Sequence, residues 1–294
     1  RGREREGNML ETISSRLTVI SATLSLLGSI FIVSSYLRFP KLRDTFHTRV
    51  VAMMGFADFF SSIGYLYTLV GTLDNPWLCQ VQALQMQYFE PVAILGSVAM
   101  SFHIWRTFIL NPNQSKKYDD SVWGTSLFMW GIPVLTAAYP WYYDGYGPAG
   151  PWCWIRCDDD AFPQGCTWRM TCFYYELYAC VLVNVGTYLM VIYTLKKHVT
   201  RKLHHSAKVV NKLKLYILAF IFSWFFPGVN RLIQTYHHSS FSVPWLNYAM
   251  AFGSPLMGFM DAVVYGMSTG AWQMWQTCGN PRQRGRRGGV DSFV

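Results

Sequence analysis

The chain has 294 residues, of which 51% are hydrophobic, 17% aromatic and only 14% charged; an ordinary soluble domain carries about 25% charged residues. Its 12 Trp, 18 Tyr and 20 Phe exclude a disordered polymer. A net charge of +9 would point to nucleic acid only if one soluble face gathered it.

Seven apolar segments account for the low charge, at 13–37, 46–73, 79–110, 121–142, 170–195, 211–236 and 244–268. The stretch from Leu17 to Tyr36 holds no charge at all. The segments are long and do not alternate, so they read as membrane helices and not as barrel strands. The connections are short except for 143–169, which is rich in Gly, Pro, Trp, Cys and Asp. The sequence therefore predicts an all-α membrane protein, a seven-transmembrane helix bundle.

Most of the 25 Lys and Arg residues follow the odd-numbered spans. They include Arg38, Lys41, Arg43 and Arg49, then Arg106, Lys116 and Lys117, then Lys196 to Lys214, then Arg282 to Arg287. Cytosolic flanks gather positive charge, so the N-terminus is expected outside and the C-terminus inside. The basic balance is thereby read as topology and attraction to anionic lipid, with no nucleic-acid partner. The triplet Asn113-Gln114-Ser115 fits the glycosylation pattern but falls on the inner side, a chance match.

Five cysteines sit on the outer side, where thiols oxidise. A bridge from Cys79 to Cys153 would pin the long loop over the bundle, and Cys157–Cys166 would close a small loop. Spacing leaves alternative pairings open, with Cys172 as another partner. Cys180 is read as packing, and no spacing matches a metal site.

Polar groups inside spans are the functional candidates. Gln80, Gln82, Gln85, Gln87 and Glu90 cluster in the third span and are read as lining a cavity, with interhelical glue as the other reading. Asp58 and Asp261 stand in the second and seventh spans. Pro227, just after Trp224, is expected to kink the sixth, and Asn230 and Arg231 lie beyond it.

Five stretches carry a family resemblance. They are Phe56-Ala57-Asp58 with Ser61 and Gly64-Tyr65-Leu66; Cys79-Gln80-Val81-Gln82 with Gln87-Tyr88-Phe89; Gly150 to Ile155; Phe226 to Arg231; and Leu256 to Gly266. In this order and spacing the chain resembles the cyclic-AMP-receptor-like (class E) group of seven-transmembrane G protein-coupled receptors. The resemblance implies a receptor of the cell membrane, spanning it several times and signalling from an extracellular ligand to a heterotrimeric G protein, and not an enzyme. The family usually carries Asn where Asp261 stands.

The expected ligand site joins Gln87, Tyr88, Glu90, Asn230 and Arg231 beneath Trp152 and Trp154. Glu90 and Arg231 would pair when it is empty, and Arg231 suits a small anionic ligand. The expected switch comprises Asp58, Trp224, Pro227, Asp261 and Tyr265. Two ionised carboxylates cannot sit unpaired together in a bundle. One of Asp58 and Asp261 should be protonated, or a cation such as Na⁺ should bridge them, with Asn184, Tyr265 and Ser97 near. No other cofactor is expected. The rival reading is a transporter or channel with a polar central cavity. A retinal protein would need a Lys for its Schiff base, and the seventh span has none. Residues 1–12 are read as an outer tail, 13–279 as the bundle with a short amphipathic cytosolic helix ending near Cys278, a lipidation candidate, and 280–294 as a basic cytosolic tail.

Overall fold

A computed structural model describes residues 2–109, 122–157, 164–197, 203–236 and 243–278. The triplet at Asn113, the side chains of Lys208, Lys212 and Lys214, and the basic tail lie outside the described residues.

The chain is mostly helical, and a helix stands at each of the seven apolar segments. These are α1 (Gly2–Arg38), α2 (Phe46–Leu66), α3 (Pro76–Ile109) and α4 (Val122–Tyr142). A short helix α5 (Gln164–Arg169) runs through a π turn (Met170–Tyr174) into α6 (Tyr175–Lys197). Then come α7 (Leu203–Tyr236) and a last segment broken into α8 (Pro244–Gly253), a 3-10 turn and α9 (Met257–Thr269). A final helix, α10 (Ala271–Cys278), turns away after Gly270, whose φ of 70° is left-handed and suits glycine.

Local chemistry sets several boundaries. The Thr45 hydroxyl accepts from the Thr48 N–H at the start of α2. Asn75 accepts from the Trp77 and Leu78 amides and Pro76 takes the first helical position of α3. α1 begins eleven residues before the apolar run read from the sequence, at Gly2.

Four helical stretches are long and apolar enough to cross a membrane: Thr12–Arg38, Phe46–Val70, Gln164–Thr194 and Leu215–Thr235. The others fall short for a physical reason. α3 carries the glutamine stripe, and α4 and α8 are interrupted by Pro, Gly and Tyr, which are less apolar than Leu or Ile.

α3 is central, packing on α2, α4, α6 and both strands. α1 closes the bundle by packing on α2, α8 and α9. Its buried face carries Ser14, Thr18, Ser21, Ser25, Gly28 and Ser29, small residues that let helices approach closely. Thr18 and Ser21 donate to the Ala251 carbonyl at 3.3 and 3.4 Å. Ser25 accepts from the Phe259 amide at 3.0 Å, an N–H in the first turn of α9 that has no partner within its own helix.

Candidate functional site

At one end of the bundle two short strands form a lid. β1 (Tyr146–Pro148) and β2 (Cys153–Ile155) pair antiparallel, Gly147 opposite Trp154. Disulfides join Cys79 to Cys153 and Cys157 to Cys166, and Cys172 is a buried free thiol. The Cys79 and Cys153 Cα atoms are 5.2 Å apart, so β2 is stapled to the first turn of α3. Burial holds the Tyr146 phenol above its ordinary pKa, and it donates to the Ala137 carbonyl at 2.8 Å.

The glutamines of α3 are fasteners. Gln82 donates to the Gly64 carbonyl at 2.8 Å and accepts from the Cys153 amide at 3.0 Å. Gln87 donates to the Cys172 carbonyl at 2.9 Å and accepts from the Trp154 indole at 2.7 Å. Gln85 donates to the Phe60 carbonyl at 2.6 Å, and Gln80 to Asp144 at the lid at 3.1 Å. The stripe therefore binds α2, the π turn before α6 and the lid to α3. A cleft of about 220 Å³ remains at the lid surface, lined by Gln80, Trp141, Asp144 and Tyr146. Tyr88 lies aside from the lid, donating to the Trp130 carbonyl of α4 at 3.3 Å.

Beneath the lid two guanidinium groups flank one ring. Arg169 and Arg231 each lie 5.8 Å from the Trp154 centroid, and they are only 6% and 4% exposed. Arg169, at the entry to the π turn, donates to the Ile155 carbonyl at 2.5 Å. Arg231 donates to the Ala149 carbonyl at 3.1 Å and to Gln234 at 2.7 Å, and its buried Nε has no partner. Among the described residues no carboxylate pairs with either. The expected ion pair between Glu90 and Arg231 is thus not formed: Glu90 accepts instead from the Tyr65 hydroxyl, which also meets Ser254 at 2.7 Å. Asn230 turns to α8, donating to Asn247 at 2.9 Å. Trp152 packs edge-on to Tyr65, and Phe173 connects Trp154 to Trp224.

Deeper in the bundle lies a cavity of about 10 Å³, whose walls include Asp58, Glu90, four serines and Trp224. Asp58 packs on the face of α9 that carries Asp261: a Cβ on Gly258 would stand 2.9 Å from the Asp58 Cβ, and Asp261 is one turn further on. Both Asp261 oxygens and the Tyr265 hydroxyl are buried without a partner. Asn184 and Ser97 bond each other at 2.9 Å and take no part in the carboxylate pair. Pro227 gives α7 no N–H for the Ser223 carbonyl. Gly253 of α8 packs against that oxygen, where a Cβ would stand only 3.1 Å away.

A sequence profile of the slime mold cyclic AMP receptor family matches residues 6–280. The chain belongs to that family. It is 24% identical over 269 residues to G-protein coupled receptor 1 of Arabidopsis thaliana, covering 88% of this chain and 79% of that protein. It is 25% identical over 261 residues to Cyclic AMP receptor-like protein A of Dictyostelium discoideum, covering 87% of this chain and 64% of the relative. Cyclic AMP receptor 1 of the same organism is 21% identical over 268 residues, covering 86% of this chain and 66% of the relative. The chain thus spans about two thirds of the length of these two Dictyostelium proteins.

Family and apolar helices together make the chain a receptor-type membrane protein. At the far end of this receptor from the lid, Thr269 accepts from the Ala271 amide at the start of α10. Trp272 stacks on Phe31 at 4.2 Å, and Trp275 donates to Ser35 at 2.8 Å. Cys278 is exposed, 3.8 Å from an Arg38 nitrogen. Reading the sequence missed Arg169, Tyr65 and the α1 serines. For Arg169 the nearby Cys166 offers a signal: its disulfide with Cys157 folds this stretch back towards β2.

Proposed function

We propose that this receptor is a seven-transmembrane G protein-coupled receptor of the cell membrane, with the lid outside and α10 in the cytosol. Its spans are α1, α2, α3, α4, α5 with α6, α7, and α8 with α9. Supporting this orientation are the Lys and Arg residues of the connections on the α10 side and the disulfides on the lid side.

The ligand is a small extracellular anion carrying phosphate or carboxylate. The observation that carries this reading is the pair of buried guanidiniums on Trp154 with no described carboxylate partner. A buried charge demands a counter-charge, and guanidinium matches phosphate and carboxylate in a fork geometry. The two Dictyostelium relatives are named for cyclic AMP, so that nucleotide is the first compound to test. An anion drawn to Arg231 would pull on α7 above Pro227, and Phe173 would pass the change to Trp224. α7 would then shift at its cytosolic end, where the G protein docks. Cys278 would take an acyl chain that fixes α10 to the inner leaflet; acyl-exchange labelling that finds it unmodified in cells removes that element.

The test is equilibrium binding of cyclic AMP and other small phosphates to the receptor in lipid. Arg231→Gln and Arg169→Gln should each weaken binding by about tenfold or more, the scale of one charge-assisted hydrogen bond, with surface expression retained. Unchanged affinity in both variants would reject the site.

A further inference from the structure

The nitrogens of Arg231 are engaged at both ends of the guanidinium fork but not at its stem. One terminal nitrogen donates to the Gln234 side-chain oxygen at 2.7 Å and the other to the Ala149 carbonyl at 3.1 Å. The Nε is buried without a partner, in a residue that is 4% exposed. Arg169 likewise gives its Nε to the Ile155 carbonyl. Amide and carbonyl oxygens accept N–H groups but carry no net charge. Two positive charges therefore remain buried at the Trp154 ring, and among the described residues no carboxylate pairs with either. A buried charge in that state demands a counter-ion.

The contact to Ala149 ties this geometry to the lid. Ala149 lies in the turn between β1 and β2, and its N–H donates to the Trp152 carbonyl at 3.0 Å. Phosphate and carboxylate take a guanidinium through two parallel N–H groups. Whether approached end-on or side-on, Arg231 offers no pair of nitrogens of which one is not already bonded to a neutral oxygen. An oxyanion that takes the end-on fork has to displace the lid turn. A monatomic anion needs no fork and is satisfied by a single N–H from any direction. The rings of Phe173 and Tyr174 pack edge-on to Trp154 at 5.2 and 5.8 Å, and in such an apolar surrounding the attraction between ion and guanidinium is strong.

We propose that with the lid closed the receptor holds a chloride ion at the Arg231 Nε, with Arg169 supplying the second positive charge, and that an organic anion must displace it. The displacement half rests on the ligand reading given above; the chloride site itself does not. Chloride balances the buried charge while Arg231 keeps its hold on Ala149. An organic anion takes the place of both the chloride and the lid contact, so the chloride concentration on the lid side sets the threshold for the ligand.

The experiment uses the full chain in nanodiscs of neutral phosphatidylcholine, with no organic ligand and no G protein. Its unfolding temperature is followed while NaCl replaces sodium isethionate at constant ionic strength, which holds screening fixed. Ligation to the folded state alone stabilises saturably, so the parent should show a saturable upward shift with chloride, and bromide should reproduce it. Arg231→Gln should weaken the apparent chloride affinity by about tenfold or more, the scale of one charge-assisted hydrogen bond. Arg231→Lys keeps the charge and loses the Nε donor, and should weaken it less; Arg16→Gln on the exposed face of α1 should leave it unaltered. In a second arm cyclic AMP and other small phosphates are titrated at low and high chloride, and their apparent affinity should fall as chloride rises. A chloride shift that is lost in Arg231→Gln, in a chain that binds no phosphate, upholds the chloride site and removes the ligand reading. Phosphate binding that is indifferent to chloride overturns the displacement and leaves the ligand reading intact. No saturable chloride shift in the parent, or an equal shift in the parent and Arg231→Gln, overturns the chloride site.

Discussion

Gln87 shows what a single residue does in this receptor. Its amide spans two groups that would otherwise be stranded in an apolar interior, the Cys172 carbonyl and the Trp154 indole N–H. Gln87→Leu keeps similar volume and strands both, which should cost about 1–3 kcal/mol for each group left unsatisfied. The thermal unfolding of the purified chain measures it, with Gln80→Leu at the exposed lid contact as the milder comparison. The glutamine stripe was visible in the sequence because helical spacing defines a face. What the face touches was not visible, since spacing names no partner; hence the cavity reading where the structure has fasteners. Depth and charge point from Glu90 to Arg231 in the sequence, whereas in the structure Glu90 accepts from the Tyr65 hydroxyl. Asp58 and Asp261 are legible as the buried acids, because charge in an apolar segment stands out in any sequence.

At the scale of the element, α7 and α8 form one joint. Pro227 leaves the Ser223 carbonyl without a helical donor, and Gly253 fits against it. Pro227→Ala would return the N–H and close the helix, where an interior Pro otherwise costs about 3 kcal/mol. The variant should unfold at higher temperature and lose about tenfold in ligand-driven nucleotide exchange on a G protein. A variant that is stabilised yet signals normally would show that α7 does not hinge there. Helix existence was legible at all seven segments from apolar runs alone. The ends were less so. The 3-10 break after Gly253 falls at Pro255, a local signal because Pro has no N–H to give, whereas no local pattern announces the π turn at Met170–Tyr174, which packs against Trp154.

For the whole molecule, family membership rests on a match across residues 6–280, and the lid, the fasteners and the joint are parts of one bundle. The two ends differ in chemistry: disulfides and buried guanidiniums at one, an aromatic-anchored helix at the other. That asymmetry is what a device reading one compartment and reporting to another requires. It was legible in the sequence from the placement of Cys, Lys and Arg, whereas the identity of the ligand was not, because a binding site is a tertiary arrangement of residues far apart in the chain. The most direct test of the receptor reading is guanine-nucleotide exchange on purified heterotrimeric G proteins by the chain reconstituted in lipid, with cyclic AMP and a panel of small phosphates and carboxylates added on the lid side. The account predicts exchange that rises with one of these anions and disappears in Arg231→Gln. Anion-driven solute flux across the same membrane with no exchange on any G protein class would contradict it.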